Sequence, residues 1–343
     1  MGLLRCNCLF VPPRVLENLA RAGVAGARLS IQQSKISRAR RADRLIDMKA
    51  FIGAKSTRKS KRKVYDCQNK WEQRVKLVRG EGKPATGDKD ADQVYTYAGN
   101  VRDYFSKVLK RNSIDNKGMD LILNVHYGED YMNAFWDGDE MTFGDGDGEI
   151  FTSFTQSLDV VAHELAHGVT QFAADLEYFS QSGALNEHFS DVFGSAITQH
   201  VLKQDAGQAD WLVGNEIMGP TLYGEALRSM QAPGMAYDNT LLGKDPQPAH
   251  MRDYYAGNDD NQGVHINSGI PNRAFYLVSM EIGTDKAVLI WYEALKKLWA
   301  TAKFNDAVDV IVESARTLTR QKKVPVGSTQ RVRAAFREVG LPH

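Results

Sequence analysis

The stretch Val161-Ala-His-Glu-Leu-Ala-His-Gly168 constrains this chain more than any other. It places His163 and His167 four residues apart, with Glu164 next to the first. In a helix this spacing puts the two imidazoles roughly 40° apart on one face and about 6 Å apart along the axis, so both can bind one ion. A catalytic zinc site has three protein ligands and a fourth position for water. Glu164 lies off the ligand face and is the candidate general base for that water.

The motif by itself also fits a chance occurrence on an ordinary amphipathic helix. The stretch Ser182-Gly-Ala-Leu-Asn-Glu-His-Phe-Ser-Asp191 argues against chance, because it places Glu187 twenty residues after His167. On a second helix, Glu187 would be the third ligand. Asp191, one turn later, would accept the other ring N–H of a zinc-bound histidine.

A metzincin would need glycine at position 170 and a ligand at 173, where this chain has Thr170 and Ala173. The chain instead resembles the thermolysin-like neutral metalloproteases, which are gluzincins. The resemblance covers about residues 64 to 343. Six blocks carry it, in the family's order and near its spacing: Asn133-Ala-Phe-Trp136, Gly144-Asp-Gly-Asp-Gly148, Asp159-Val-Val-Ala-His-Glu-Leu-Ala-His167, Ser182-Gly-Ala-Leu-Asn-Glu187, Ala226-Leu-Arg-Ser-Met230 and Gly263-Val-His-Ile-Asn-Ser-Gly269.

The resemblance implies an α+β fold in which the zinc site lies in the cleft between two domains. We expect a short pro-segment with its linker over 1–62, a β-rich peptidase domain with the zinc helix over 63–205, and a mostly α-helical domain over 206–343. Clefts between domains are where ligands usually bind.

Periodicity predicts the main elements of these domains. We expect a helix over 92–109, a strand over 120–127 that contains a structurally paired His126, and a hairpin turn at Gly144–Gly148, which lacks the residues of a phosphate loop. After Asp191 the pattern is helical over 192–202, 274–282, 288–301, 304–320 and 330–339.

The resemblance also implies roles for single residues. His163, His167 and Glu187 would bind one zinc ion, with Glu164 as base and Asp191 behind a ligand. Tyr178 and His265 would donate to the transition-state oxyanion, and Asp260 would orient His265. In an edge strand that pairs with the substrate, Asn133 would use its amide and Ala134 its carbonyl, while Arg228 would contact a substrate carbonyl.

The positions that line the family's primed-side pocket are all apolar here, which implies cleavage before bulky hydrophobic residues. They are Phe151, Phe154, Val160, Val213, Ile217 and Leu227. The paired calcium site of the family uses five acids, of which this chain keeps Asp159 and Asp210. Thr198, Leu212 and Asn215 stand at the other three positions, so we expect the double calcium site to be lost, with one weakly bound calcium ion or none.

The charge of the chain is divided between two regions. Residues 1–63 contain 16 Lys and Arg and 3 acids, whereas 64–343 contain 27 basic and 39 acidic residues. A basic arm raises nucleic-acid binding as an alternative. The arm has few aromatic residues and no nucleic-acid motif, so we favour an intramolecular pro-segment that is held partly by charge and inhibits the enzyme. No nucleic-acid or membrane partner is expected.

The arm begins with a proline-stiffened entry and a short helix over 10–23, which resembles the Pro-Pro-hydrophobic element of protealysin-type members. Its remainder, 30–63, is predicted to be a solvated linker that is cut within about 50–64, near Phe51, Ile52 or Val64. The cysteines are Cys6, Cys8 and Cys67. A thiolate from Cys6 or Cys8 could block the zinc, but two small, partly buried residues without a metal role are the favoured interpretation.

The sequence therefore predicts a monomeric zinc endopeptidase made as an autoprocessed zymogen. The resemblance implies secretion, while the N-terminal sequence lacks the core of a signal peptide, which leaves an unusual export route or an intracellular role open. One rival is a gluzincin aminopeptidase, although the chain lacks a Gly-x-Met-Glu-Asn element. The other is a binding protein on an inactive protease scaffold, although no ligand or base is missing.

Overall fold

The computed structural model of the chain describes residues 8–48 and 58–341. Its strands are β1 Cys8–Leu9, β2 Arg62–Asp66, β3 Lys76–Gly80, β4 Leu121–Val125, β5 Ala134–Trp136, β6 Met141–Phe143, β7 Leu212–Val213, β8 Arg228–Ser229, β9 Asp238–Asn239 and β10 Gly243–Lys244. Its helices are α1 Pro13–Arg21, α2 Ala25–Met48, α3 Lys89–Lys107, α4 Leu158–Ala173, α5 Ser180–Leu202, α6 Asp259–Asn267, α7 Gly269–Ile282, α8 Thr284–Leu295, α9 Phe304–Arg320 and α10 Ser328–Glu338. Within these ranges, every helix is too short or too polar to cross a bilayer.

Strands β1 to β6 form one mixed sheet in the order β1-β5-β6-β4-β2-β3. The prediction that β5 is an edge strand is wrong for this form of the chain, because β1 pairs with it antiparallel, placing Cys8 opposite Trp136 and Leu9 opposite Phe135. The other side of β5 pairs with β6. The exposed backbone that would receive a peptide is therefore occupied by the chain's own N-terminal segment.

Helices α4 and α5 pack against each other beside this sheet. Both are buried along most of their length, since apolar and small residues surround the polar motif residues of each. Helix α3 begins three residues earlier than the predicted 92–109, because the carboxylate of Asp88 accepts a hydrogen bond from the N–H of Ala91 and caps the helix. The fold thus places the two motif helices side by side, as their spacing requires.

The prediction of a solvated linker over 30–63 is wrong for 30–48, because α2 extends to Met48, and residues 49–57 lie outside the described chain. Its Ser30 and Ser34 are buried, at 0% and 3% exposed. Ser30 Oγ accepts the N–H of Met132, and Ser34 Oγ lies 3.2 Å from Tyr131 Oη. The serines that resemble linker composition form the contact face of a helix.

The processing prediction is partly wrong for the same reason. Val64 lies in β2, is fully buried and pairs with both β3 and β4, so a protease cannot reach it without unfolding the sheet. Phe51 and Ile52 lie outside the described residues.

The prediction of a hairpin turn at Gly144–Gly148 is also wrong. Strand β6 precedes this stretch, and its described partners are β4 and β5. No strand returns along β6 after position 148 within the described chain. Asp147 Oδ1 instead accepts N–H groups from Ile150 and Phe151, which closes an irregular loop.

The second half contains the short strands β7 to β10 and then helices α6 to α10. Helix α9 has the predicted bounds, while α7, α8 and α10 begin two to five residues earlier than predicted. Predicted helix 288–301 ends early, at Leu295.

His126 links two parts of the N-terminal half. Its Nδ1 lies 2.9 Å from Asp145 Oδ2, and its Nε2 lies 3.0 Å from Asp88 Oδ2, so both ring nitrogens donate. The hydrogen bond and charge of Asp145, with help from Asp88, outweigh burial and raise the pKa of His126 to about 9. The prediction of a paired structural histidine is confirmed by these contacts.

We expect His126→Gln to lower the free energy of unfolding by about 1 kcal/mol at pH 7, after allowing for the exposure of both carboxylates. A folded-state pKa above the ordinary 6.5 means that the stabilisation is complete below pH 6.5 and is lost as the pH rises through about 9. Urea unfolding of both proteins at pH 6, 8 and 10 measures this. A difference that grows with pH would show that the charged imidazole is not responsible.

Candidate metal centre

His163 and His167 project from one face of α4, as the four-residue spacing predicts. Both are buried, and their Nε2 atoms lie 3.0 Å apart. Glu187 comes from α5, and its carboxylate oxygens lie 3.5 Å from each Nε2 atom. The potential ligand atoms of these three residues lie within 4.8 Å of one another.

These residues fit a zinc ion. Two ligands bound to one zinc at about 2.0–2.1 Å stand about 3–3.5 Å apart, which is the spacing of the imidazole nitrogens. Glu187 Oε2 is buried and has no hydrogen-bond partner among the described residues. A buried carboxylate oxygen and two facing ring nitrogens without a cation would be costly, so the set is suited to hold one.

Glu164 is buried at the side of this cluster. Neither of its carboxylate oxygens has a hydrogen-bond partner within the described part of the chain. Burial raises the pKa of Glu164 to about 8, and the neighbouring His163 opposes the rise. A bound dication would lower this pKa, which leaves a carboxylate ready to accept a proton.

Asp191 is hydrogen-bonded to His163, the first candidate ligand. Its Oδ1 accepts from His163 Nδ1 at 2.8 Å, and its two oxygens accept from Arg228 Nε and Nη2, each at 2.9 Å. Asn272 Nδ2 donates to it at 2.8 Å. Burial opposes ionisation, but Arg228 and His163 hold the pKa of Asp191 well below its usual range. His163 is therefore held with Nε2 towards the centre.

The second ligand has supports that the sequence reasoning missed. Asn186 Oδ1 lies 2.9 Å from His167 Nδ1, and Ser190 Oγ lies 3.0 Å from the same atom. Both flank Glu187 on α5, so the pairing of α4 with α5 could have suggested them.

His265 follows a left-handed turn that runs from Asp260 to Gly263, with φ between 51° and 79°. Left-handed conformations are costly for residues with a Cβ, so the turn is held by contacts. Asp260 accepts the backbone N–H of His265 at 2.7 Å and lies 2.6 Å from its Nδ1. The predicted orienting role of Asp260 thus has a geometric basis.

The side chains of Tyr178 and His265 lie close to each other and to the carboxylate of Glu187. Tyr178 Oη lies 3.1 Å from His265 Nε2, and its O–H donates to Glu187. Burial lowers the pKa of His265, but the carboxylates of Asp260 and Glu187 outweigh it and raise the pKa. The raised pKa favours the protonated imidazole, whose Nε2–H can donate to an oxygen in the cleft.

Comparison with known proteins identifies the protein family of this chain. Residues 38–171 match the family model described as thermolysin metallopeptidase, catalytic domain, and residues 174–341 match its alpha-helical domain. The chain belongs to the thermolysin metallopeptidase family. It is a zinc metalloendopeptidase made as a zymogen.

Relatives agree with this assignment. An extracellular metalloprotease of Pectobacterium carotovorum is 46% identical over 301 residues, which are 84% of each chain. Thermolysin of Alicyclobacillus acidocaldarius is 39% identical over 268 residues, 75% of this chain and 46% of that protein. The structure is similar to the precursor of protealysin from Serratia proteamaculans, with a TM-score of 0.85, 43% identity, and coverage of 97% of this chain and 99% of that one.

The N-terminal segment of this chain runs through the cleft. The carbonyl oxygen of Leu9 lies 2.9 Å from His265 Nε2. The next residue, Phe10, donates its N–H to the carbonyl of Ala134 at 3.1 Å, and its own carbonyl accepts from Arg228 Nη1 at 3.3 Å. Asn133 Oδ1 and Nδ2 pair with the N–H and carbonyl of Val11 at 2.9 and 3.2 Å. The residues expected to bind a substrate backbone bind this segment instead.

The Phe10 ring is fully buried next to the metal centre. Its centroid lies 5.1 Å from that of His163 and 6.5 Å from that of Phe154. A Cβ at Gly214 would lie 3.0 Å from the ring and 3.4 Å from Leu227, and φ at Gly214 is 75°, so glycine is required there for two reasons. Gly214 was missed by the sequence reasoning.

The other predicted pocket residues are buried in the same apolar cluster as Phe10 and Phe154. All six are buried. Val213 pairs with Arg228 between β7 and β8, Phe151 bridges to Met218, and the Ile217 carbonyl accepts the N–H of Thr152. Val160 lies on α4, three residues before His163.

Cys8 bears on the zinc-blocking alternative. It is buried in one apolar cluster with Tyr178 and Val264, and it is disulfide-bonded. A disulfide sulfur is not the thiolate that this alternative requires of Cys8. Cys6 lies outside the described residues.

At the positions that correspond to the family's calcium site, the acidic side chains bind groups of the protein itself. Asp159 accepts the N–H groups of Val160 and Gly214, each at 2.7 Å, and Asn215 Nδ2 donates to Asp210 Oδ2 at 3.3 Å. Burial, together with the charges of Asp159 and Asp210, raises the pKa of Glu216. Glu216 is a third acid in this region that the sequence reasoning missed.

Proposed function

We propose that this endopeptidase cleaves on the N-terminal side of bulky hydrophobic residues, at a site formed by the residues described above. The observation that supports the proposal is the position of Phe10 in the cleft. Its ring fills the apolar pocket while the preceding carbonyl, that of Leu9, meets His265. A substrate bound in the same register would present its scissile carbonyl to His265 and a hydrophobic side chain to the pocket.

His163, His167 and Glu187 would hold zinc, which when bound polarises the carbonyl and acidifies a water. Glu164 accepts a proton from that water and passes it to the amide nitrogen of the leaving group. His265 and Tyr178 donate hydrogen bonds to the carbonyl oxygen as negative charge develops on it.

The remaining residues position the substrate. Asn133 and Ala134 align the backbone as a strand, and Arg228 holds the carbonyl that follows the cleaved bond. Asp191 ties Arg228 to His163, so backbone recognition and the metal ligand share one support.

Digestion of a peptide library by the processed enzyme tests the specificity. Cuts should precede Phe, Leu, Ile or Val in most products, and N-terminally blocked peptides should be cut as readily as free ones. Cuts without preference at that position, or a need for a free amine as in an aminopeptidase, would overturn the proposal.

We propose that calcium contributes little to stability, because neutral groups replace three of five family acids and a backbone N–H occupies each oxygen of Asp159. A calcium-selective chelator should therefore lower the melting temperature by less than about 5 °C. Scanning calorimetry with and without the chelator measures this, with zinc content checked in both samples. A loss of tens of degrees would mean that Glu216 helps to complete a strong site.

We also propose that the chain is divided into a pro-segment with its linker over 1–62 and two peptidase domains over 63–205 and 206–343. We further propose that the enzyme is a monomer and processes itself. The division is supported by β2, which begins at Arg62, and by α5, which ends at Leu202. The Pectobacterium relative is named as extracellular, and we propose the same location for this enzyme.

A further inference from the structure

We propose that the surface now covered by α1 is an exosite for protein substrates, and that it binds a short amphipathic helix beginning about three residues after the pocket residue. This rests on the proposed register of Leu9 and Phe10 across the catalytic centre. We call this surface the helix site, and define it by Leu227, Tyr237, Leu242, Gly243 and Asp245.

The chain path sets the spacing. Phe10 fills the pocket, Val11 pairs with Asn133, and Pro12 ends the extended stretch with φ −59° and ψ 144°. Helix α1 begins at Pro13, where a proline costs no hydrogen bond. The helix is therefore the direct continuation of the segment that lies in the primed side of the cleft.

The helix site contacts this continuation through a hydrogen bond and a close approach of its backbone. Asn18 Nδ2 donates to the carbonyl of Leu242 at 2.6 Å. A Cβ at Gly243 would lie 2.7 Å from the same amide, and φ at Gly243 is 84°, so the loop between β9 and β10 is shaped for close approach. Leu242 itself is 1% exposed.

The helix presents an apolar face to its surroundings. Val15, Leu16 and Leu19 are at most 1% exposed, whereas Glu17 and Arg21 are exposed. The three apolar side chains are part of the continuous core of the described chain, which also contains Leu227, Tyr237 and Leu242, and α2 packs against α1. Removal of the pro-segment would uncover this part of the peptidase, and exposed apolar patches usually mark binding sites.

A small cavity of about 20 Å³ lies where the helix begins. Pro12 and Arg14 line one side, and Tyr237, Asp245 and Asp260 line the other. Arg14 lines the same cavity as the carboxylates of Asp245 and Asp260, so we expect a basic residue in the first turn to suit the site. The expected ligand is a hydrophobic residue, a short extended link, and then an amphipathic helix with a basic first turn.

The test uses the processed enzyme and three quenched-fluorescence peptides. The first ends three residues after the cleaved bond, and the second continues with the sequence of residues 10–21. The third is the second with serine in place of Val15, Leu16 and Leu19. We expect KM for the second to be at least about tenfold below that of the other two, with kcat within about threefold. In Leu242→Ala, the ratio of kcat/KM for the second peptide to that for the first should shrink.

The outcomes separate this inference from the proposed function. If the first peptide is cut but the second and third give equal kcat/KM, the helix site is wrong and the proposed function stands. If none is cut before its hydrophobic residue, the register is wrong and both fail. Native mass spectrometry of the processed enzyme adds a further outcome: a released pro-segment that stays bound at nanomolar dilution would overturn the exosite, because substrates could not reach it.

Discussion

Glu164→Gln is expected to keep zinc while losing at least about a thousandfold in kcat. The amide cannot accept the proton of the attacking water, and general-base catalysis is commonly worth 10² to 10⁴. The ligands His163, His167 and Glu187 are untouched, and glutamine has nearly the shape of glutamate. Elemental analysis and kcat on a blocked peptide measure the two effects, with His163→Ala as the control that should lose both. Loss of zinc from Glu164→Gln would mean that Glu164 supports the metal instead of the proton transfer.

The same variant separates self-processing from processing by another protease. Wild type should shorten on storage, whereas Glu164→Gln should remain a 38.2 kDa chain in a host without a substituting protease. Intact masses over time show which holds. The expected cut within about 50–64 excludes Val64, which is buried in β2.

Phe10→Asp is expected to release the activity of the unprocessed chain by at least about a hundredfold. Burying a Phe side chain is worth about 1.5–3 kcal/mol, and the variant also places an unpaired carboxylate in an apolar pocket. At 1.4 kcal/mol per tenfold change, these terms shift the closed state of the cleft by two or more orders of magnitude. The strand contacts of β1 would remain, but its anchor would be lost.

The measurement is the initial rate on a short blocked peptide, with intact mass confirming that the chain is still full-length. Leu29→Asp is the matched control, since Leu29 lies in the same segment on α2 but is 42% exposed. It should leave the precursor as silent as wild type. Equal rates for Phe10→Asp and Leu29→Asp would show that Phe10 does not close the site.

The contacts of the N-terminal segment indicate where the free energy that holds it in the cleft comes from. Its main-chain pairing with β5, the buried Phe10 ring and the serine face of α2 contact the peptidase at separate places. Main-chain and serine hydrogen bonds exchange with water at little net cost. Most of the holding free energy is therefore expected from the apolar anchors, Phe10 and the buried face of α1.

The chemistry of the centre could be predicted from the sequence because it depends on local spacing. The spacing of four positions from His163 to His167, and from Glu187 to Asp191, places each pair on one helix face in any fold that makes the helices. The bounds of α9 were predicted for the same reason, since its apolar positions follow the helical period.

Only the tertiary structure decided which surfaces meet. The pairing of β1 with β5 joins residues more than 120 positions apart, and no local pattern encodes it. The serines of α2 indicate a linker until Tyr131 and Met132 are placed against them, and Gly214 matters only because Phe10 lies beside it. Side-chain identity sets what a residue can bind, but long-range packing sets which partner it has. For this reason the sequence by itself determined which residues are the candidate metal ligands and base, whereas the folded chain decided that its own N-terminal segment occupies the cleft.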